Sequence, residues 1–339
     1  MAYFRLAAGR RMNKSLRASR SHLSAKESLP VLYCCLLDEQ AIELLPRLAQ
    51  AELRRSKWQG DLFLNPYCFL DSAELRSLPF LTDFSSPDEM VWILDPGRNA
   101  LQPFWLPEQV RCWLADLQPG ASVFPHLPPQ LAKLLYFAGI LTTEKDCQRR
   151  SDELKHSVAR AADFFGKNRH VNLKNLLHPL HIAAWRRYIR DLTAAGKLEK
   201  GKGGYKNCHI VHNEPTTRFF HHQLTSLVSE VVGEPVQPSF SFICSYHAGA
   251  KLSKHTDREQ CEFTISLCAD FIPEPDTTTS WPLHIETRHG QVTIEQALGD
   301  GILFCGRDLV HYRDHLAEGC TSSSILFHFV RRNFDGELD

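Results

Sequence analysis

From Pro238 onward the chain is made of short β-forming runs, SFSFICSY, CEFTISLCADF, PLHIET, QVTIEQ, GILFCG, LVHYRD and SSSILFHFV, separated by turn residues at short intervals. Nothing else in the sequence limits the fold so strongly, because this is the rhythm of an all-β sandwich or barrel. Ahead of it stand two amphipathic stretches. LHPLHIAAWRRYIRDLTAAGK sets Leu180, Ala184 and Tyr188 on one stripe, and FFHHQLTSLVSEVVGEP is similar, so both should lie on one sheet of the β unit.

The upstream part has a different texture. Residues 30–145 mix short strands (LPVLYCCLL, EMVWILD) with helical stretches. LPEQVRCWLADLQ has Pro107 near its first turn and stops before Pro119-Gly120, and PPQLAKLLYFAGIL places Leu131, Leu134, Leu135 and Ala138 on one face. This segment is expected to be a small mixed α/β accessory domain with a winged-helix-like look. It would serve either as a structural cap or as a docking module for substrate. Residues 146–204 read as connecting and supporting helices. Residues 1–29 read as a disordered basic tail: their first 26 residues contain Lys and Arg but no acid, a bias shared by organellar transit peptides.

Composition excludes several classes. With 39 basic and 39 acidic residues the net charge is zero, so no global field favours nucleic acid or an anionic membrane. The stretch LPPQLAKLLYFAGIL, the recognition helix of any DNA-binding reading, has a single lysine, which speaks against a winged-helix regulator. No apolar run approaches the roughly 18 residues needed to span a bilayer. The 11 cysteines are scattered without a CxxC, as expected of reduced thiols in a cytoplasmic protein.

The chemistry concentrates in SYHAGAKLSKHTDREQCEF and GDGILFCGRDLVHYRD. In a strand, His255 and Asp257 fall on one side with Thr256 on the other. A jelly roll can bring His311, on a later strand, beside them. Two imidazoles and one carboxylate on one face of an octahedron leave three positions open, the facial arrangement of non-haem Fe(II) oxygenases, whereas structural zinc sites close four ligands, often with sulfur. An HxD alone is weak evidence in a chain with 17 histidines; the β context around it adds the weight.

Residues 205–335 are therefore assigned to the catalytic domain. Over about 205–332 they resemble the Fe(II)/2-oxoglutarate-dependent dioxygenase superfamily, in its prolyl-hydroxylase-like branch. The resemblance rests on His255, Asp257 and His311, on Tyr246 ahead of the HxD, and on the GDGILFCGRDLVH approach to the distal histidine. HNEPTTRFFHHQLTSLVSEVVGEP, HTDREQCEFTISL, WPLHIE and HYRDHLAEG are similar to a bacterial subgroup of that superfamily. The resemblance implies a double-stranded β-helix (jelly-roll) domain with supporting helices, an α+β chain overall. It also implies Fe(II), 2-oxoglutarate as cosubstrate and O2, with succinate and CO2 formed as an aliphatic carbon of an amino-acid-like or peptidyl substrate is hydroxylated.

One departure stands out. The branch places Arg or Lys nine or ten residues after the distal histidine to bind the far carboxylate of 2-oxoglutarate, and here those positions are Cys320 and Thr321. Arg313, two residues beyond His311 and on the same face, is the nearest substitute, with a surface ion pair to Asp314 or Glu318 as its ordinary alternative. Tyr246, Thr321, Ser322 and Ser324 could add hydroxyl donors. Arg258, Glu262, Asn213 and Arg218 are weaker candidates for substrate contact, against rim ion pairs and helix capping. His221, His222 and His328 read as packing residues. Two rival functions use the same fold: a cupin-type isomerase or hydrolase with Zn or Mn, and a ligand-sensing regulator.

Overall fold

The computed structural model describes residues 42–69, 90–95, 100–106, 110, 114, 122, 127–201 and 207–339, all within one compact unit, Val31–Asp339. The basic tail, the strand LPVLYCCLL and nearly all of LPEQVRCWLADLQ lie outside the described residues, and with them much of the basis for the winged-helix expectation.

The elements of the upstream part, in chain order, are α1 (Arg47–Arg55), β1 (Phe63–Leu64), β2 (Cys68–Phe69), β3 (Met90–Asp95), β4 (Ala100–Trp105), α2 (Pro129–Ala138) and β5 (Leu141–Thr142). β2, β3 and β4 form an antiparallel meander, and β1 pairs with β5. In α2, Pro129 starts the helix and Gly139 ends it at φ 81°, and Leu131, Leu134, Leu135 and Ala138 are all buried. The meander rests on the helices that follow. Leu101 N donates to Gln223 Oε1 at 2.7 Å, Trp92 meets the Phe219 ring at 5.7 Å, and Phe104 stacks on His181 at 4.7 Å.

Then come α3 (Glu144–Asn168), β6 (His170–Leu173), α4 (Pro179–Ala194), β7 (Glu199–Lys200), β8 (Cys208–His212), α5 (Pro215–Val232), β9 (Val236–His247), β10 (Leu252–His255), β11 (Phe263–Ile272), β12 (Leu283–Thr287), β13 (Gly290–Ile294), β14 (Gly301–Phe304), β15 (His311–Arg313) and β16 (Thr321–Arg331). A seven-stranded sheet runs β6-β14-β11-β16-β9-β8-β7, and a four-stranded sheet runs β10-β15-β12-β13, both antiparallel. This is the two-sheet layout of a jelly roll. β11 is buried along almost its whole length, with α4 packed against it, although its residues alternate: Phe263, Ile265, Leu267, Ala269 and Phe271 are apolar, while Thr264, Ser266 and Asp270 between them are polar and buried. β13, at the free edge, is largely exposed. Leu283 and Ile285 of β12 meet Ile302 and Phe304 of β14, joining the two sheets.

The far end of β11 is clamped to α4 by buried charge. Arg186 Nε donates to Asp270 Oδ1 at 2.9 Å, and its other nitrogens donate to Leu44 O at 2.6 Å and Glu274 Oε2 at 2.8 Å. Arg190 adds a two-pronged bond to Asp270 at 2.7 and 2.9 Å. Arg186 and Asp270 are both buried, so removing one partner strands the other in low dielectric. Asp270→Ala should therefore lose about 3–5 kcal/mol in a urea titration, far more than an exposed pair such as Lys167–Asp163 would.

Candidate metal centre

β10 and β15 pair so that His255 stands opposite His311, with ring centroids 4.3 Å apart. Each ring is held by the carbonyl two residues before it: His255 Nδ1 lies 2.8 Å from Ser253 O, and His311 Nδ1 lies 2.9 Å from Leu309 O. A carbonyl only accepts, so both rings carry their proton on Nδ1 and present Nε2 as a free donor atom. Asp257 Oδ1 sits 3.6 Å from His255 Nε2 and 3.5 Å from His311 Nε2, and the three ligand atoms lie within 4.8 Å of one another. Cis donors about 2.1 Å from one ion stand about 3 Å apart, so a small inward movement would suit a shared divalent metal.

Asp257 lies beyond the end of β10 and is positioned by a bend, not by the strand alternation that the HxD spacing suggests. Its N–H donates to Gly306 O at 2.8 Å, and Oδ2 accepts from Thr264 Oγ1 at 2.8 Å. Gly306 makes room for this: a Cβ there would fall 2.2 Å from Asp257 Oδ2 and 2.7 Å from Cys261 O. Thr264 has one hydroxyl proton, and the carboxylate takes it. The contact of 3.0 Å between Thr264 Oγ1 and His328 Nδ1 must therefore be donated by His328. The chain His328 to Thr264 to Asp257 occupies Oδ2 and leaves Oδ1 for a metal.

The electrostatics agree with this order. Burial pushes the Asp257 pKa up, but the His255 contact, the His311 and His328 rings and the Thr264 bond outweigh it and hold the carboxyl below its ordinary value. His255 is raised, mainly by its contact with Asp257, and His311 is lowered by burial. His328 is pushed down to about 4, chiefly by burial, and is neutral near pH 7. Its backbone is pinned at a register shift in β16, where His221 Nε2 at 2.7 Å and Ser239 Oγ at 2.9 Å both donate to His328 O.

The triad opens into a cavity of about 340 Å³ between the sheets. Arg313 shares this wall. It is buried, donates to Trp281 O and, at 2.8 Å, to Gln296 Oε1, and lies 5.0 Å over the Trp281 ring. Among the described residues it has no ion pair, and burial lowers its pKa. The surface pair with Asp314 or Glu318 is excluded: Glu318 is exposed, and Asp314 Oδ2 lies 3.4 Å from His284.

Tyr246, Ser324 and Arg258 also line the cavity. The other candidates do not reach it. Thr321 and Ser322 open β16 one pleat further out, opposite His247 and Tyr246. Glu262 accepts from Arg331 N at 2.7 Å and Arg331 Nη1 at 2.5 Å, tying down the end of β16. Asn213, at φ 47°, accepts from Ser241 N at 2.9 Å and donates to Asp339, while the cap of α5 is Glu214, which accepts from Thr217 N at 2.9 Å. Arg218 is exposed on α5. Missed in the sequence were Gly306, Thr264 and the Nδ1 role of His328. Gly306 sits in the quoted GDGILFCG run, where its neighbour two strands away could not be seen.

No family model matches the chain, and no curated protein matches it. Among solved structures it is similar to the non-heme alpha ketoglutarate dependent epimerase SnoN from nogalamycin biosynthesis, at 14% identity over 52% of this chain and 83% of that one, TM-score 0.45. A prolyl-4-hydroxylase from Pseudomonas putida matches at 15% identity over 52% of this chain and all (100%) of that one, TM-score 0.43. HygX from Streptomyces hygroscopicus, solved with nickel and 2-oxoglutarate bound, matches at 10% identity over 52% and 87%, TM-score 0.41. Likenesses of this extent assign neither ligand nor substrate to this chain.

Thr264→Val keeps the shape but frees Asp257 Oδ2 and leaves His328 Nδ1 unpaired. Its affinity for Co(II) or Mn(II), measured by calorimetric titration, should fall about 10–100-fold with an unchanged circular dichroism spectrum. Gly306→Ala should weaken binding further, by displacing the carboxylate itself.

Proposed function

We propose that this chain is an Fe(II)- and 2-oxoglutarate-dependent dioxygenase that hydroxylates an aliphatic carbon of an amino-acid-like or peptidyl substrate, releasing succinate and CO2. The observation that carries this reading is the joint presence, in one cavity, of an open two-histidine, one-carboxylate set and a buried arginine with no acidic partner among the described residues. Bound iron would supply the activation of O2 and the oxidising power for an unactivated C–H bond.

The chain's own residues do the rest. His255, Asp257 and His311 would hold the metal through the two Nε2 atoms and Oδ1. Arg313 lies two residues along β15 from His311, a distance of about 6.6 Å at strand rise. Both side chains line the same cavity, so a dicarboxylate held by the metal at one end could meet the guanidinium at the other. A bidentate carboxylate bond would neutralise a charge that now has only neutral acceptors, Trp281 O and Gln296 Oε1. Tyr246 and Ser324 line the same cavity. Phe240, Phe242, Leu252 and Leu326 form the apolar wall that excludes water.

The accessory segment keeps its proposed docking role. A second concavity of about 690 Å³, lined by Arg55, Tyr67, Tyr136 and Arg149 among others, contains none of the metal ligands and offers a surface for a longer substrate.

The full chain loaded anaerobically with Fe(II) and then exposed to O2 and 2-oxoglutarate should form succinate. His255→Ala, Asp257→Ala and His311→Ala should each abolish it. Arg313→Lys keeps the charge but loses the planar fork, so the KM for 2-oxoglutarate should rise about 10–100-fold, corresponding to about 1.5–3 kcal/mol, with iron affinity unchanged. A chain that binds iron yet makes no succinate would overturn the reading.

A further inference from the structure

Among the polar groups on the cavity wall that the metal ligands and the Arg313 pocket do not use, two rest on the ring of Phe240. The first is His328 Nε2. Because Nδ1 carries the proton given to Thr264, Nε2 is a lone-pair acceptor, and it has no hydrogen-bond partner among the described residues. The side chain is only 4% exposed, yet it lines the cavity and is not among the sealed, unpaired polar groups, so Nε2 opens into the cavity. Its ring lies 4.5 Å from that of Phe240. A buried acceptor of this kind loses hydrogen-bonding energy unless a ligand or water supplies a proton.

The second group is Arg258. Its guanidinium carbon sits 4.2 Å over Phe240. The residue is exposed at the cavity mouth, touches the Cys261 thiol and has no ion pair among the described residues. The cavity thus has a cation at each end: buried Arg313 beyond Trp281, and Arg258 at the mouth beside the triad. Between His328 and the interior the wall is apolar, with Phe242 opposite Leu326.

We propose that His328 Nε2 and Arg258 form a substrate subsite for a ligand that carries an amide N–H and a carboxylate close together, as in an N-acylated amino acid or the C-terminal residue of a peptide. Arg258 takes the carboxylate and the neutral imidazole accepts the N–H. A free ammonium is disfavoured in place of the amide, because it would stand beside Arg258 and a divalent metal. The proposal rests on the oxygenase reading for the metal and cosubstrate, and it names the substrate class that reading leaves open.

The test uses the full chain loaded with redox-inert Zn(II) and 2-oxoglutarate, titrated by ligand-observed NMR. The probes are N-acetylalanine, its primary amide, and N-acetyl-N-methylalanine. N-acetylalanine should bind at least about tenfold more tightly than either analogue, since each analogue loses one of the two bonds. Arg258→Gln should bring the acid down to the level of the amide while the N-methyl penalty stays. His328→Leu should erase the N-methyl penalty while the preference for acid over amide stays. The ligand-side comparison stands even if His328→Leu fails to fold. Equal binding of acid and amide to the parent chain, no binding of N-acetylalanine at millimolar concentration, or an unchanged acid preference in Arg258→Gln would each overturn the proposal. Succinate formation by the iron-loaded chain is read separately: if it is absent while the probe discrimination holds, the oxidation reading falls and the subsite remains.

Discussion

The register that sets His255 opposite His311 across β10 and β15 is the constraint on which the rest of the site hangs. Cross-strand neighbours are close enough for their rings to meet, and here each ring is also tied to the carbonyl two residues before it. The tautomer of both imidazoles is thus decided by local backbone and not by the metal. A slip of one residue would turn one histidine to the other face of the small sheet and dissolve the pair. β10 and β15 are short, so their register is held from outside: by Ile285 opposite His311, and by Phe304, whose ring lies 4.6 Å from that of His311.

A second constraint is the cost of Arg313. A guanidinium shielded from water and held only by a carbonyl and an amide oxygen is an expensive group to keep, and mutation to an apolar residue of similar volume would often stabilise such a position. Its place on the wall shared with His255, Asp257 and His311 is intelligible if a dicarboxylate completes it. Binding free energy would then become folding free energy, because a ligand that joins the native state alone stabilises it in proportion to its saturation. The Asp270 clamp is different in kind. There the charges are already matched by protein groups, and what they hold is the position of α4 against the large sheet.

The contrast between what the residues disclosed and what they hid has a physical basis. Residue patterning located the strands of the C-terminal part and the helix α2, whose spacing picked out Leu131, Leu134, Leu135 and Ala138, although Ala132, Tyr136 and Phe137 are buried as well. His255, Asp257 and His311 were legible as a set from residue type and β context, and Arg313 from strand parity with His311. Parity failed where the backbone leaves the strand: Asp257 is placed by a bend, and Thr321 and Ser322 lie at the outer end of β16, where alternation says nothing about depth along the cavity. Glu262 and Asn213 carried the right chemistry for ligands but are consumed by Arg331 and by Ser241 and Asp339, partners distant in sequence. Gly306 and Thr264 were silent for the same reason, since each matters only through Asp257.

The placement of Arg313 on the histidine strand has a consequence for geometry. In the pattern the chain resembles, the cosubstrate cation stands on the last strand, so its distance from the metal depends on the packing of two strands from different sheets. Here His311 and Arg313 belong to one strand of three residues, and their separation is a property of the extended backbone. A shift of the small sheet relative to the large one would carry metal ligand and cation together and leave their spacing intact. The large sheet contributes the other parts: Thr264 and His328 behind the carboxylate, and Phe242 and Leu326 along the wall. Relative movement of the sheets would therefore alter the orientation of Asp257 and the width of the cavity before it altered the span between metal and Arg313. On the proposed function, the division would leave the cation for the cosubstrate on the small sheet and much of the remaining cavity wall on the large one.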